Sequence, residues 1–254
     1  MFDSVNDLCG IQLIRDKIPD SRLIVIYSSL SRYKLTRKHY VELLDSLFQL
    51  NCAVAFPAFT YSSRRGNIYS PSLMPDPQNG ALSRVAFSEY PGEFLRTADV
   101  DYSYIIFNSK HLTINVESLL VNSKRSFGTN SHHSAFFNLN PLLVALGEGF
   151  RDGFTPSMQV EALVNTQNRE YIRTLAIEEN GVTFEREYFA RIQWNNSNPI
   201  KPNRIRLESI LECDATYFKH VNKMGGSTVG INASSFLKIL KKYLLEDRNF
   251  FYEE

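Results

Sequence analysis

Residues 147–161, GEGFRDGFTPSMQVE, gather three glycines, a threonine, a proline and two glutamates in one short stretch. Glycine lets backbone turn sharply and approach a ligand closely. Thr155 suits a helix N-cap and Pro156 the first helical position. Residues 158 and 161, three apart, then lie on one face of that helix. The face carries a thioether, Met158, and a carboxylate, Glu161. N–H groups at a helix N-terminus can meet an anion or a developing oxyanion, and a positioned carboxylate can move a proton. A thioether cannot accept a proton at neutral pH. The same residues also describe a simple turn followed by a core methionine.

Two other segments carry reactive types. In YSSLSR (27–32), Ser28 and Ser29 can offer hydroxyls and backbone N–H groups to a phosphate or amide, with Arg32, Arg37 and Lys38 near in sequence for charge. LRTADVDYS (95–103) sets Arg96 and Thr97 close to Asp99 and Asp101 beside an apolar run, which is costly unless the charges pair or meet a ligand. The plain alternative pairs Arg96 with Asp99 or Asp101. Asp76, between Pro75 and Pro77, has the setting of a turn acid. HExxH, GxSxG and Walker lysine patterns are absent. The third glycine of GEGFRDG comes one position too late for a dinucleotide fingerprint. The five histidines have no metal-ligand spacing, His132–His133 reads as a loop pair, and no metal is expected.

Composition narrows the class. The 254 residues carry a net charge of +1, with 43% hydrophobic and 22% charged residues, an ordinary globular balance. No basic excess or stripe points to nucleic acid. Three scattered cysteines form no disulfide framework and fit a reducing cytoplasm. The acidic start lacks a signal-peptide pattern, and no apolar run approaches the roughly 20 residues of a membrane helix.

Positioning these residues falls to alternating elements. RLIVIY (22–27), CAVAFPAF (52–59), DYSYIIFN (101–108) and PLLVAL (141–146) read as buried strands. Residues 36–50, capped by Thr36, and 80–90, 113–120 and 156–165 read as helices, with a long loop over 62–79. The alternation predicts an α/β, three-layer αβα sandwich around a mixed, largely parallel sheet. Period-2 alternation over 181–194 predicts a small antiparallel β appendage, about 166–213. ATYFKHVNKM reads as helical and GGSTVG (225–230) as a break before a closing helix at about 232–247. One domain, 1–254, is expected.

In order and spacing, IVIYSSLS, VAFPAFTYS, PDPQNGALSRVAFSEYPGEFLRTADVDYS, SFGTNSHHSAF, LLVALGEGFRDGFTPSMQVE and the tail from Tyr217 to Phe251 resemble the aminoglycoside N-acetyltransferase family. The likeness spans about Arg22 to Phe251. Three departures stand out. Tyr27 occupies the place of the family's loop histidine. Asp99–Val100 replaces a His-Pro pair. Thr155-x-x-Met158-x-x-Glu161 replaces Thr-x-x-His-x-x-Glu.

The resemblance implies transfer of an acetyl group from acetyl-CoA, as co-substrate, to an amino group of an amino sugar. It implies catalytic roles for Glu161, Asp99 and Thr155. It places the cofactor against Ser28, Ser29, Leu30, Arg32, Arg96, Thr97 and Ser103, and the acceptor against Tyr61, Asp76, Asp152 and Met158. With the family's histidine absent, either Glu161 or Asp99 takes the proton, positioning alone suffices, or the fold binds a sugar or CoA-like ligand without turnover. Arg64 and Arg65 in the long loop favour a nucleotide-linked or glycan amino sugar over a polycationic antibiotic. Neither a nucleic acid nor a membrane is an expected partner, and a homodimer is compatible with the chain.

Overall fold

The computed structural model describes residues 4–60, 68–113, 119, 124–150, 155–164, 170–179, 181–191 and 204–247. Two short helices, α1 (Val5–Cys9) and α2 (Ile11–Arg15), precede the first strand, β1 (Leu23–Ser28). Then come α3 (Arg37–Phe48), β2 (Ala53–Pro57), α4 (Ala81–Glu89), β3 (Phe94–Arg96), β4 (Tyr104–Phe107), α5 (His132–Asn138), β5 (Leu142–Leu146) and α6 (Thr155–Val164). The chain continues through β6 (Glu170–Glu179), β7 (Val182–Arg191), α7 (Arg204–Leu211), β8 (Phe218–Val221), β9 (Ser227–Asn232) and α8 (Ala233–Glu246).

Seven strands form one sheet in the order β3-β4-β2-β1-β5-β9-β8, and β6 and β7 pair separately. Successive strand residues face opposite sides, and both sides are covered. Leu23 and Val25 of β1, with Ala53, Ala55, Leu143 and Ala145, pack under α5, α6 and α8 through Phe136, Val160, Phe236 and Leu240. Ile24 and Ile26, with Val54, Phe56 and Val144, pack under α1, α3 and α4 through Leu8, Leu43, Leu47 and Leu82. The unbroken apolar run at the start of β1 and along β2 and β5 is therefore the signature of strands sealed on two faces, and the three-layer sandwich expected from the sequence is observed.

The helix at 37–48 begins where Thr36 meets a reciprocal cap, the Thr36 N–H donating to His39 Nδ1 at 3.1 Å. The helix expected over 113–120 falls largely outside the described residues. Among the described residues no helix is long and apolar enough to cross a membrane.

The balance of strand directions differs from expectation. Only β1 with β2 and β1 with β5 run parallel, while β2–β4, β3–β4, β5–β9 and β8–β9 are antiparallel. The sheet is mixed, with a parallel centre and antiparallel flanks. Part of the difference comes from the stretch read as helix over ATYFKHVNKM and as a break over GGSTVG, which instead forms β8 and β9. The glycines there make room for aromatic rings. Gly230 stands opposite Phe218, and a Cβ on Gly230 would lie 2.3 Å from that ring. A second correction concerns His132–His133. They open α5, capped by Ser131 whose hydroxyl accepts from the Ser134 N–H at 3.0 Å, and both are buried.

The antiparallel appendage is present as the β6–β7 hairpin, with Glu170 opposite Arg191 and Glu179 opposite Val182. It packs through Leu175, Ile177 and Tyr188 onto Tyr69 and Val100. Backbone bonds add to this: Tyr69 N–H donates to Ala176 O at 2.9 Å, and Glu178 N–H to Tyr69 O at 2.8 Å. The polar centre of the contact is Asp99, 1% exposed. Tyr188 Oη donates to its carboxylate, lying 3.0 Å from each oxygen, and is itself bonded to Ser126 Oγ. A hydrogen bond to a charged group contributes about 1.5–3 kcal/mol, and an abandoned buried carboxylate costs more. We expect Tyr188→Phe to lower unfolding free energy by roughly 2 kcal/mol and to raise protease cleavage in 170–191, read by urea titration and limited proteolysis. Unchanged values for both would remove the latch.

Candidate functional site

A cavity of about 330 Å³ opens where β1 and β5 end. Its walls include Tyr27, Ser28, Ser29 and Leu30 from β1 and the following turn, Ala145 and Leu146 from β5, and Gly80–Leu82 at the start of α4. The β1 end is held to β5 by Ser29 N–H donating to Leu146 O at 2.8 Å. Gly147 makes the close passage that follows: φ is +102°, and a Cβ there would lie 2.1 Å from Ser29 O. Only glycine fits such a crossing. The N-cap of α4 is also a glycine, Gly80, with no side-chain hydrogen bond to the helix N–H groups. That helix end presents backbone donors at the cavity wall.

Of the residues singled out in the sequence, Ser28, Ser29 and Leu30 line this cavity. Arg32 is exposed nearby and donates to Gly225 O at 3.4 Å. Asp76 is half-buried at the start of the 3-10 turn at 77–79, where its backbone N–H donates to Phe59 O at 3.0 Å. Thr155 and Glu161 lie on the buried side of α6, at 2% and 8% exposure, and Met158 packs against the large core cluster under that helix. The helix is tied in place by Gln159, whose Oε1 accepts from Gly128 N–H at 2.9 Å and from the Ser131 hydroxyl at 3.4 Å. Tyr61 and Asp152 lie outside the described residues.

The segment around Arg96 is arranged differently from its sequence reading. The Arg96 guanidinium binds neither Asp99 nor Asp101. It donates from Nε to Ser103 Oγ at 3.1 Å, from Nη2 to Ala58 O at 2.6 Å and from Nη1 to Pro71 O at 2.9 Å and Leu73 O, and it lies over the Tyr69 ring. Ser103 donates to Ala58 O at 2.9 Å, and Thr97 Oγ1 accepts from Tyr104 N–H at 2.8 Å. Arg96, Thr97 and Ser103 are thus committed to holding the 70–73 loop and the β3–β4 turn against the end of β2, and none of them is among the residues lining the cavity. The Asp99 carboxylate accepts from Asp101 N–H at 2.9 Å and Tyr102 N–H at 2.6 Å as well as from Tyr188. Burial raises its pKa against the opposing pull of those donors. The geometry thus gives Arg96 and Asp99 structural contacts within the protein.

Sequence reading passed over a buried polar chain that begins at the cavity. Tyr27 Oη lies 2.8 Å from Tyr104 Oη, and Tyr104 Oη lies 3.1 Å from His133 Nε2. His133 Nδ1 is 3.0 Å from Ser126 O. Burial is the main cause that drives the His133 pKa well below its ordinary value, with neighbouring His132 adding to it, so the ring is neutral at pH 7. A carbonyl can only accept, so Nδ1 carries the hydrogen and Nε2 receives the Tyr104 hydroxyl. Tyr27 and Tyr104 come from strands separated by β2, whose residue in register with Tyr104 is Pro57. The odd-numbered parity Tyr27 shares with Leu23 and Val25 was visible in the sequence, but the meeting with Tyr104 depends on strand order.

His132 is the exceptional member of this region. It is 2% exposed, and neither ring nitrogen has a hydrogen-bond partner among the described residues. Burial pushes its pKa from 6.5 to about 4. The unfolded chain therefore binds this proton more readily, and stability is lost as pH falls from about 6.5 towards 4. The loss amounts to roughly 3 kcal/mol. We expect His132→Leu to be at least as stable as wild type at neutral pH and to lose less stability on acidification, measured by urea unfolding at about pH 7 and about pH 5. An equally steep acid limb in the variant would rule this out. Among the described residues no cluster of three or more His, Cys, Asp or Glu gathers as a metal site would require.

No protein-family model and no curated protein sequence matches the chain. Solved structures do. Aminoglycoside acetyltransferase AAC(3)-IVa, as the apoenzyme, aligns with a TM-score of 0.70 at 15% identity over 99% of this chain and 92% of that one. AAC-IIIb in a binary complex with CoASH aligns at 0.73 and 12% identity, over 100% and 99%. AAC-VIa bound to sisomicin aligns at 0.73 and 13% identity, over 96% and 98%. End to end, the chain has the aminoglycoside N-acetyltransferase fold.

Proposed function

We propose that the protein is an acetyl-CoA-dependent N-acyltransferase acting on an amino group of an amino sugar. The observation that carries this reading is the cavity at the ends of β1 and β5, lined by Ser28, Ser29 and Leu30 and by the start of α4, in a fold shared with a CoASH-bound structure. Its volume of about 330 Å³ lies at the lower end of small-molecule sites. The Ser28 and Ser29 groups and the N–H donors of α4 suit a polar, anionic ligand such as a CoA phosphate or a thioester oxygen. Acyl transfer forms a C–N bond at the thioester carbonyl and releases the thiol, so the amine proton has to leave.

Glu161 and Thr155, at the start of α6, remain the proposed site groups on that helix, with Asp76 near the acceptor. The acceptor is a nucleotide-linked or glycan amino sugar rather than a polycation. That choice rests on Arg64 and Arg65 in the sequence. A second reading, ligand binding without turnover, is favoured by Met158, since the face of α6 that it occupies holds a thioether packed on the core.

The test is thiol release from acetyl-CoA with a panel of free, nucleotide-linked and cationic amino sugars. Release with nucleotide-linked acceptors supports the proposal. CoA binding without release from any acceptor supports the second reading, and absence of both sinks the two together. In an active protein Met158→His, which restores an imidazole three residues before Glu161, should raise kcat by roughly tenfold or more.

A further inference from the structure

The turn after β5 forms part of the cavity wall, and a side chain from some sixty residues further on reaches into that turn. We propose that Glu208 is a positioning residue for the proposed reaction: its carboxylate, carried in on α7, fixes residues 149 and 150 and thereby sets the wall against which the thioester donor seats. The proposal rests on the acyltransferase reading above and adds a residue which that reading does not use.

Three observations carry it. Gly149 lines the cavity. Glu208 Oε1 lies where a side chain on Gly149 would begin, since a Cβ built there would be 2.1 Å from that oxygen. The same oxygen accepts from Phe150 N–H at 3.2 Å. One carboxylate oxygen therefore packs against a residue of the cavity wall and bonds the next residue, whose ring is buried in the core under α8.

The earlier part of the turn is held by other groups. Gly147 O accepts from Tyr33 Oη at 3.1 Å and from Ser227 N–H at 3.0 Å, and Gly149 N–H donates to Ser227 O at 3.2 Å. Glu208 takes over at Phe150, where those bonds stop. Gly149 has φ +70°, a conformation that suits glycine, and the carboxylate fills the side of the residue that a methyl group would occupy. The second oxygen, Oε2, faces Lys219 Nζ at 3.4 Å, and Lys219 also reaches Glu212 at 3.1 Å. The Glu208 side chain is only 17% exposed, so this ammonium offsets part of the cost of its burial.

Glu208 is not among the residues lining the cavity, and it acts through Gly149 and Phe150. Leucine in its place leaves the Phe150 N–H without this acceptor and puts a different shape beside Gly149. A wall displaced by about an ångström misplaces a bound donor, which costs roughly tenfold to a hundredfold.

The test is calorimetric titration with CoA together with thiol-release kinetics. Glu208→Leu should raise the Kd for CoA by about tenfold or more and the KM for acetyl-CoA in parallel, with kcat at saturating donor within about threefold of wild type. Glu208→Gln keeps an oxygen for the Phe150 N–H and should recover CoA affinity to within about threefold. Lys219→Met removes the ion pair and leaves the turn contact, and it should bind CoA within about threefold of wild type. Gly149→Ala, whose methyl displaces the carboxylate, should match Glu208→Leu, and the double variant should bind no more weakly than either single one. If Glu208→Leu does not fold, wild-type CoA affinity in Gly149→Ala overturns the proposal by itself. Wild-type affinity in Glu208→Leu, no recovery in Glu208→Gln, an equal loss in Lys219→Met, or additive losses in the double variant each overturn the positioning role and leave acyl transfer standing. A wild-type protein that neither binds CoA nor releases thiol overturns the reading of the site and this inference with it.

Discussion

A carboxylate sealed from water survives only where donors converge on it, and Asp99 is the point on which this molecule's polar interior turns. Two backbone N–H groups from the β3–β4 turn and the Tyr188 hydroxyl close around it. The turn before β4 is shaped by its own aspartate, as such residues often shape the two or three positions that follow, and the β6–β7 hairpin, already held by its apolar and backbone contacts with Tyr69, is joined to that turn by one phenol. Removing a single donor leaves a buried charge short of partners, which costs more than the lost bond alone.

That knot is continuous with the cavity. Ser126 bonds Tyr188 through its hydroxyl and His133 through its carbonyl. From His133 the chain runs through Tyr104 to Tyr27 at the mouth of β1. A polar path therefore crosses the core from the appendage to the cleft. Such a path is stable only when nearly every member is satisfied, and here each member has at least one partner. His132, next in the chain to this path, has none among the described residues, and its desolvation opposes stability. A residue kept at that cost sits where function commonly resides.

The fold explains how a likeness at 12–15% identity can span the whole chain. Arg96 sits in a segment whose charge could serve a phosphate, yet its guanidinium is spent on three carbonyl groups and a serine. Fold and chemistry are separable in this way because backbone geometry is set by the core, whereas a site depends on what a few polar atoms face.

Much of the scaffold was legible in the residues. Uninterrupted apolar runs in β1, β2 and β5 announced strands covered on both sides, because a strand with one wet face alternates. Thr36 and the spacing of Leu43, Leu44 and Leu47 marked α3, and the alternation around Tyr188 marked a hairpin. Local pattern failed where the deciding contact was remote. β8 and β9 looked like a helix and a break because strands of four and six residues are too short to display a clear period, and Gly230 is explained only by the ring of Phe218 across the ladder. By itself, then, the sequence determined the layers and the place of the turn after β5, since hydrophobic period and turn chemistry are local properties. Only the tertiary structure decided what Arg96, Asp99, Tyr27 and His133 touch, because a hydrogen bond is directional and short-ranged, and its partner is chosen by strands and loops distant along the chain.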